Sequence, residues 1–260
     1  MMLEDCQATP MVEGGGSGMD IDDRSFLVTG GSRGLGAALG RELARRGGRV
    51  VLVGREGGPL REVVAEIWSR GGEAHALAAD VGDPMAVHPL IGAASALVGP
   101  LDVVVHNAST LGPSPLRELA DTEGQDFARA LEVNLLGPFR ITKAVVGSML
   151  LRRRGLVVSV TSDASLAAYP RWGAYGVSKA ALDHLMKIWA EELRESGVRF
   201  LSVDPGEMDT RMHQEAVPDA DPTTLASPDE VASRMADLIE ASESWPSGTR
   251  VELASLRAAA

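Results

Sequence analysis

Tyr175 and Lys179 stand four positions apart in the run Tyr175-Gly176-Val177-Ser178-Lys179. On a helix that spacing puts both side chains on one face. A free phenol has a pKa of about 10 and is a poor base at neutral pH. An ammonium one turn away stabilises the phenolate and lowers that pKa, so the pair can pass a proton. Ser162 lies 13 positions before the tyrosine, just after an apolar run. If that run is a strand of a parallel sheet, the serine falls near the carboxyl edge, where ligands bind. Tyr-x-x-x-Lys alone occurs on many helices, and its weight comes from what surrounds it.

A second constellation is the turn Thr29-Gly30-Gly31-Ser32-Arg33-Gly34-Leu35-Gly36, which joins an apolar run to a helical pattern. Glycines there permit a tight turn and let a pyrophosphate approach the backbone at a helix N-terminus. The next apolar run, Val50 to Val53, ends in Gly54-Arg55. Sites for NAD usually place an acid about 20 residues beyond the glycines, to hold the ribose hydroxyls. A guanidinium at that place suits a 2′-phosphate instead, through paired hydrogen bonds. Arg33 would reach the same phosphate from the other side. Glu56 is the group that would serve an NAD ribose, so these residues favour NADP(H) and leave NAD(H) open.

Short apolar runs and longer amphipathic stretches alternate from Ser25 onward. Phe26-Leu27-Val28 reads as a buried strand, followed by a helix with Leu35, Leu39 and Leu43 on one face and Gly47-Gly48 at its end. Val50 to Val53 is a second strand and Glu62 to Arg70 a helix. A third strand ends at Asp80, and Asp83-Pro84 opens a helix as N-cap and first helical position. Leu101 to Val105 is the fourth strand. One long helix covers Gln125 to Leu151, and Leu156 to Val160 is the fifth strand. A helix over Tyr175 to Glu195 leads to a sixth, Arg199 to Val203. Ser227-Pro228-Asp229-Glu230 is a capping box for a helix to Glu240. Thr249 to Leu253 closes the pattern. Strands apolar on both faces, each followed by a helix, predict a single doubly wound α/β (Rossmann) domain. It has a parallel sheet of about seven strands with helices on both faces.

The 260 residues are 45% hydrophobic and contain a single cysteine, Cys6. That excludes a disordered polyampholyte and a disulfide scaffold. No apolar run approaches the roughly 18 residues a membrane span needs. The net charge is −11, and six of the 36 acids precede Arg24 with no base among them. The rest carries 30 acids against 25 bases, a balance that phosphate backbones would repel, so no nucleic-acid partner is expected. Residues 1–23 hold the run Gly14-Gly15-Gly16-Ser17-Gly18 and no apolar periodicity. They read as a disordered leader before a domain over 24–260. With no basic start and no apolar stretch after it, the expected setting is cytoplasmic.

Taken together, these motifs resemble the short-chain dehydrogenase/reductase family, from Ser25 to about Leu253. Thr29, Gly30, Gly34 and Gly36 match its glycine motif, with Ser32, Arg33 and Leu35 between them. Asp80, followed by Val81, matches the acid that contacts adenine. Asn107-Ala108 matches the motif after the fourth strand, though His106 and Ser109 replace its usual asparagine and glycine. Asn134, Ser162, Tyr175 and Lys179 match the catalytic four. Pro205-Gly206, with Met208 and Thr210 downstream, matches the turn beside the nicotinamide. The ending Ser247 to Leu253 lacks the frequent Asp-Gly-Gly. With Pro205-Gly206 and Asp209-Thr210, that ending is somewhat similar to sepiapterin and benzil reductases, which assigns no substrate.

The resemblance implies an NADPH-dependent carbonyl reductase. Tyr175 protonates the carbonyl oxygen, Ser162 holds it, Lys179 binds the nicotinamide ribose and Asn134 positions a water. The alternatives are an NAD-linked alcohol dehydrogenase and a non-catalytic NADP-binding sensor, and the intact Ser162, Tyr175 and Lys179 speak against the second. The expected substrate is a small carbonyl or alcohol compound. Asp163, Tyr169, Trp172, Glu207, Met208, Met212 and His213 would wall it in, and Glu207 to Ala226 would form a short mobile lid. His75, His88, His106, His184 and His213 show no metal-ligand spacing, so no metal is expected. The family's assembly through its two long helices implies a homodimer or homotetramer.

Overall fold

The computed structural model describes residues 18–256. Seven parallel strands form one sheet: β1 (Ser25–Thr29), β2 (Arg49–Gly54), β3 (Glu73–Ala78), β4 (Val103–His106), β5 (Gly155–Val160), β6 (Val198–Asp204) and β7 (Thr249–Glu252). Their order is β3-β2-β1-β4-β5-β6-β7. The five strands between the edge strands β3 and β7 are buried on both faces or nearly so, as runs such as Val50-Val51-Leu52-Val53 require. Phe26, Val28, Val50 and Leu52 point to one face. There they meet α1 (Gly34–Arg45), α2 (Gly57–Ser69) and α8 (Pro228–Glu240). Leu27, Val51, Val53 and Val104 point to the other. That face is covered by α3 (Val87–Val98), α5 (Gly137–Arg152) and α6 (Gly173–Glu192).

The chain winds outward from β1 to β3, then returns to place β4 on the other side of β1. This reversal opens a crevice at the carboxyl ends of β1 and β4, the place where open α/β sheets bind ligands. Everything expected to do chemistry hangs from that edge.

Three local expectations change. The long helix is interrupted: α4 (Gly124–Leu131) passes through a π-helical segment, Glu132–Leu136, into α5. An extra residue in the winding there turns Asn134 inward, where it is completely buried. The third helix starts at Val87 rather than at Pro84. The Asp83 carboxylate accepts from Met85 N at 2.9 Å and closes a separate turn before it. Of the expected leader, residues 1–17 lie outside the described residues, whereas residues 18–23 pack on the domain. Met19 N donates to the Glu240 carbonyl at 2.8 Å, and Ile21 is fully buried among the α1 and α8 side chains. A two-residue apolar anchor is too short to show as periodicity. Ile21→Ala should therefore lower the unfolding free energy by about 2–4 kcal/mol in a denaturant titration.

Candidate active site

The loop after β1 and the start of α1 are shaped by close approach. Gly30 has φ +71°, and a Cβ there would lie 2.7 Å from Asn107 Nδ2 and 2.9 Å from Ala108 Cα. At Gly36 a Cβ would meet the Gly30 carbonyl oxygen at 2.3 Å. Asn107 Nδ2 donates to the Thr29 and Gly30 carbonyls at 2.9 and 3.2 Å, and the Thr29 hydroxyl accepts from Asn107 N and Ala108 N. Asn107 thus staples the β4 end to the glycine turn. Arg33 is the N-cap of α1 in extended conformation and makes no side-chain cap. The first amides of α1 are left to a ligand.

A cleft of about 1120 Å³ runs from this turn to Tyr175. Every expected cofactor and substrate residue lines it except Gly36, which packs beneath the turn. Arg33 and Arg55 are exposed at one end, where Arg33 lies 3.7 Å from Glu56. Asp80 accepts from Gly82 N at 2.9 Å and from Arg129. Partial burial works against its charge, but these two donors hold its carboxyl below the usual range. The residues fit a dinucleotide: glycines under the turn, open helix amides for a pyrophosphate and guanidinium groups where a ribose phosphate would lie.

At the other end sit the residues expected to be catalytic. The Ser162 hydroxyl donates to Asp163 Oδ1 at 2.9 Å, and Tyr169 OH donates to Asp163 Oδ2 at 2.7 Å. Lys179 is 1% exposed, and its ammonium donates to the Val160 carbonyl at 2.7 Å, 5.5 Å from the Tyr175 ring centre. Burial pulls the lysine down to about 8, while Asp183 and Asp204 act to keep it charged. Tyr175 departs from expectation. Burial pushes the phenol up to about 12; Ser162 offsets part of this, and Asp204, Asp163 and Asp183 add to it. The ammonium's hydrogen bond goes to Val160 rather than to the ring oxygen, and burial outweighs its attraction for a phenolate.

Asn134 stands behind the cleft rather than in its wall. Its Oδ1 accepts from Thr110 N at 2.8 Å and Ser109 Oγ at 3.1 Å. Its Nδ2 donates to the Thr110 carbonyl at 2.8 Å and Ser178 Oγ at 2.9 Å. The carboxamide is therefore fully engaged with protein and has no side-chain bond left for a water. The same contacts explain Ser109, whose hydroxyl is used to hold Asn134. Ser178, missed in the sequence although it lies inside the Tyr–Lys motif, links Asn134 to the Tyr175 carbonyl at 2.6 Å. His106 is buried, bonded to Thr142 at 2.8 Å and pushed by burial down to about 3, so it is neutral.

The inner wall is apolar. Leu111, Ala164 and Tyr175 form a small cluster with Trp172 and Met212 against it, and the Trp172 and Tyr175 rings are 5.6 Å apart. Glu207 lies 3.7 Å from His213. The segment expected to be a mobile lid contains α7 (Arg211–Ala216), and a bridge between Met208 and Ala226 closes its base. Thr210, expected at the cofactor, caps α7 by accepting from His213 N at 3.2 Å.

Residues 24–221 match the short chain dehydrogenase family, and the chain belongs to it. The 2-(R)-hydroxypropyl-CoM dehydrogenase of Xanthobacter autotrophicus is 35% identical over 192 residues, 74% of this chain and 77% of that protein. A short chain dehydrogenase from Shigella flexneri 2a, solved in complex with NADP, is similar with a TM-score of 0.84 and 27% identity, over 90% of this chain and 99% of that one. A 7α-hydroxysteroid dehydrogenase complexed with NADH and 7-oxo glycochenodeoxycholic acid is similar with a TM-score of 0.81 and 27% identity, over 89% and 93%. The protein is an oxidoreductase of CH–OH and C=O groups that uses a nicotinamide dinucleotide. When bound, the nicotinamide supplies or takes up a hydride.

The buried lysine has a consequence for stability. Its folded pKa of about 8 lies below the unbonded value of 10.5. Between the two the unfolded chain binds more protons, so this group's contribution to stability rises with pH through that window. Lys179→Met removes the cost of burying the charge. Thermal melts should show the variant above the parent by about 2–4 °C or more at pH 7. The difference should shrink toward pH 10.5.

Proposed function

We propose that the protein is an NADPH-dependent carbonyl reductase in which Ser162, Tyr175 and Lys179 carry the chemistry. The observation that supports this reading is one cleft with Arg33 and Arg55 at one end and Ser162, Tyr175 and Lys179 at the other. The Tyr175 phenol, pushed up by burial to about 12, carries its proton at neutral pH. In this reading Ser162 holds the carbonyl oxygen while Tyr175 delivers the proton to it. Lys179 lies beside the phenol, where a ribose hydroxyl would fall in reach of its ammonium. Asn134 acts through Ser178 and Thr110, fixing the start of α6 against the loop after β4. The apolar wall of Leu111, Trp172 and Met212 suits a small, largely apolar carbonyl compound. Leu151, Val177 and Ile188, exposed on α5 and α6, suit a homodimer or homotetramer. A single cysteine suits a cytoplasmic setting.

Tyr175→Phe keeps the ring packed against Trp172 and removes only the proton donor. With NADPH and a panel of ketones, the rate of nicotinamide oxidation should fall by about 10²–10⁴-fold, with cofactor binding unchanged by fluorescence titration. Retention of more than about a tenth of the parent rate would overturn the assignment.

Cofactor choice rests on Arg55 and Arg33. A charge-assisted hydrogen bond contributes about 1.5–3 kcal/mol. Two arginines on one phosphate need not add, so NADPH should be preferred over NADH by about 10²-fold in kcat/KM. Space at Gly54 permits the reversal, since a Cβ there would sit 3.6 Å from Leu60 and Ser32, an ordinary contact. Gly54→Asp with Arg55→Ala should invert the ratio, because a carboxylate repels the phosphate and accepts from ribose hydroxyls. Equal kcat/KM for both cofactors in the parent protein would refute the reading.

A further inference from the structure

Under Ser162 lies a buried group of charges for which the reaction as described has no role. Arg250, in β7, falls outside the residues 24–221 that match the family. Its Nη2 donates to Asp204 Oδ2 at 2.6 Å and to the Ser162 carbonyl at 3.3 Å. Its Nη1 donates to Glu252 at 2.6 Å, and its Nε lies 3.6 Å from Asp183 Oδ2. That Asp183 oxygen also accepts from Thr161 Oγ1 at 2.9 Å and Ser165 Oγ at 2.7 Å. The other Asp204 oxygen accepts from Gly206 N at 3.0 Å. One guanidinium thus touches the segment bearing Ser162, the strand end that leads into Pro205-Gly206, and the helix bearing Tyr175 and Lys179.

The side chains of Arg250, Asp183 and Asp204 are only 12%, 9% and 10% exposed. Two carboxylates with one guanidinium leave a negative charge in excess, and Lys179 is the other buried cation nearby. Ion pairs buried this deeply seldom raise stability relative to apolar residues of the same size. Their position directly behind the reacting groups points to another use.

We propose that Arg250 is a positioning residue for the reaction: it ties Ser162 to the Pro205-Gly206 turn and balances Asp183 and Asp204 beneath Tyr175 and Lys179. This rests on the reading of Ser162, Tyr175 and Lys179 given above. Asp204 from β6, Asp163 after β5 and Asp183 from α6 push the Tyr175 phenol up, Lys179 of α6 stands 5.5 Å from its ring, and Arg250 from β7 meets Asp183 and Asp204 behind it. His106 from β4 is neutral. Removing the cation should hold the phenol protonated to higher pH, and removing a carboxylate should do the reverse.

The chain contains two tyrosines, Tyr169 and Tyr175. In a Tyr169→Phe background, phenolate absorbance during alkaline titration reports Tyr175 alone and needs no substrate. Asp204→Asn should lower the midpoint by about half a unit or more, and Arg250→Met should raise it. Arg250→Lys keeps the charge without the fork, so its midpoint should stay near the parent's. Fluorescence titration should show NADPH binding about tenfold weaker in Arg250→Met, through the loosened Pro205-Gly206 turn. Circular dichroism at each pH confirms that the fold persists, and if Arg250→Met fails to fold, Asp204→Asn and Arg250→Lys decide. Variants that melt lower yet titrate at the parent midpoint would make the cluster merely structural and overturn the proposal. A parent that turns over no ketone while these midpoints shift would instead overturn the reductase reading and leave the charge clamp standing.

Discussion

A buried ammonium governs the architecture of the site. Lys179 reaches from α6 across to the end of β5, where the Val160 carbonyl accepts its proton. An isolated charge in such surroundings is costly, so the fold must supply compensation close by. It does so with Asp183 on the same helix and Asp204 at the end of β6, both of which favour the charged lysine. Two buried carboxylates then need a cation of their own, and Arg250 from the last strand provides it. The arrangement is a chain of consequences from one choice: a lysine one turn beyond a reacting tyrosine.

The opposite end of the cleft answers to a different constraint, which is lack of space. The Gly30 carbonyl, Gly36 and the Asn107 carboxamide crowd so closely that a single methyl group at Gly36 would collide with both neighbours. This crowding brings α1 down against the carboxyl edge of β1 and aims its first amides into the cleft. Packing at one end and charge compensation at the other are joined by the sheet reversal between β1 and β4. That reversal decides that both face the same crevice.

Much of this was legible from residue order because its signals are local. Strands apolar on both faces, the glycine turn and the Tyr175–Lys179 spacing each occupy fewer than ten consecutive positions. The seven parallel strands follow from them with small changes at the ends. What was not legible depends on partners distant in sequence. Arg250 meets Ser162 across 88 positions and Asp204 across 46, and no spacing rule links them. The π-helical turn at Asn134 reflects bonds to Ser109 and Thr110, 24 or more positions away. Ile21 failed for the reverse reason, since one buried side chain beside a glycine run makes no pattern at all.

The same division accounts for the expectation that failed most instructively. From spacing alone, Lys179 should lower the Tyr175 pKa, because an ammonium one helical turn away lies within reach of a phenolate. In the folded protein the two are close, at 5.5 Å from ammonium to ring centre, yet burial outweighs the attraction. Three carboxylates around the ring push the same way as burial. Proximity along a helix says which groups meet, but the sign of their effect is set by the whole shell, which includes side chains from the ends of β5 and β6. A site built in this way keeps the proton on the tyrosine at neutral pH.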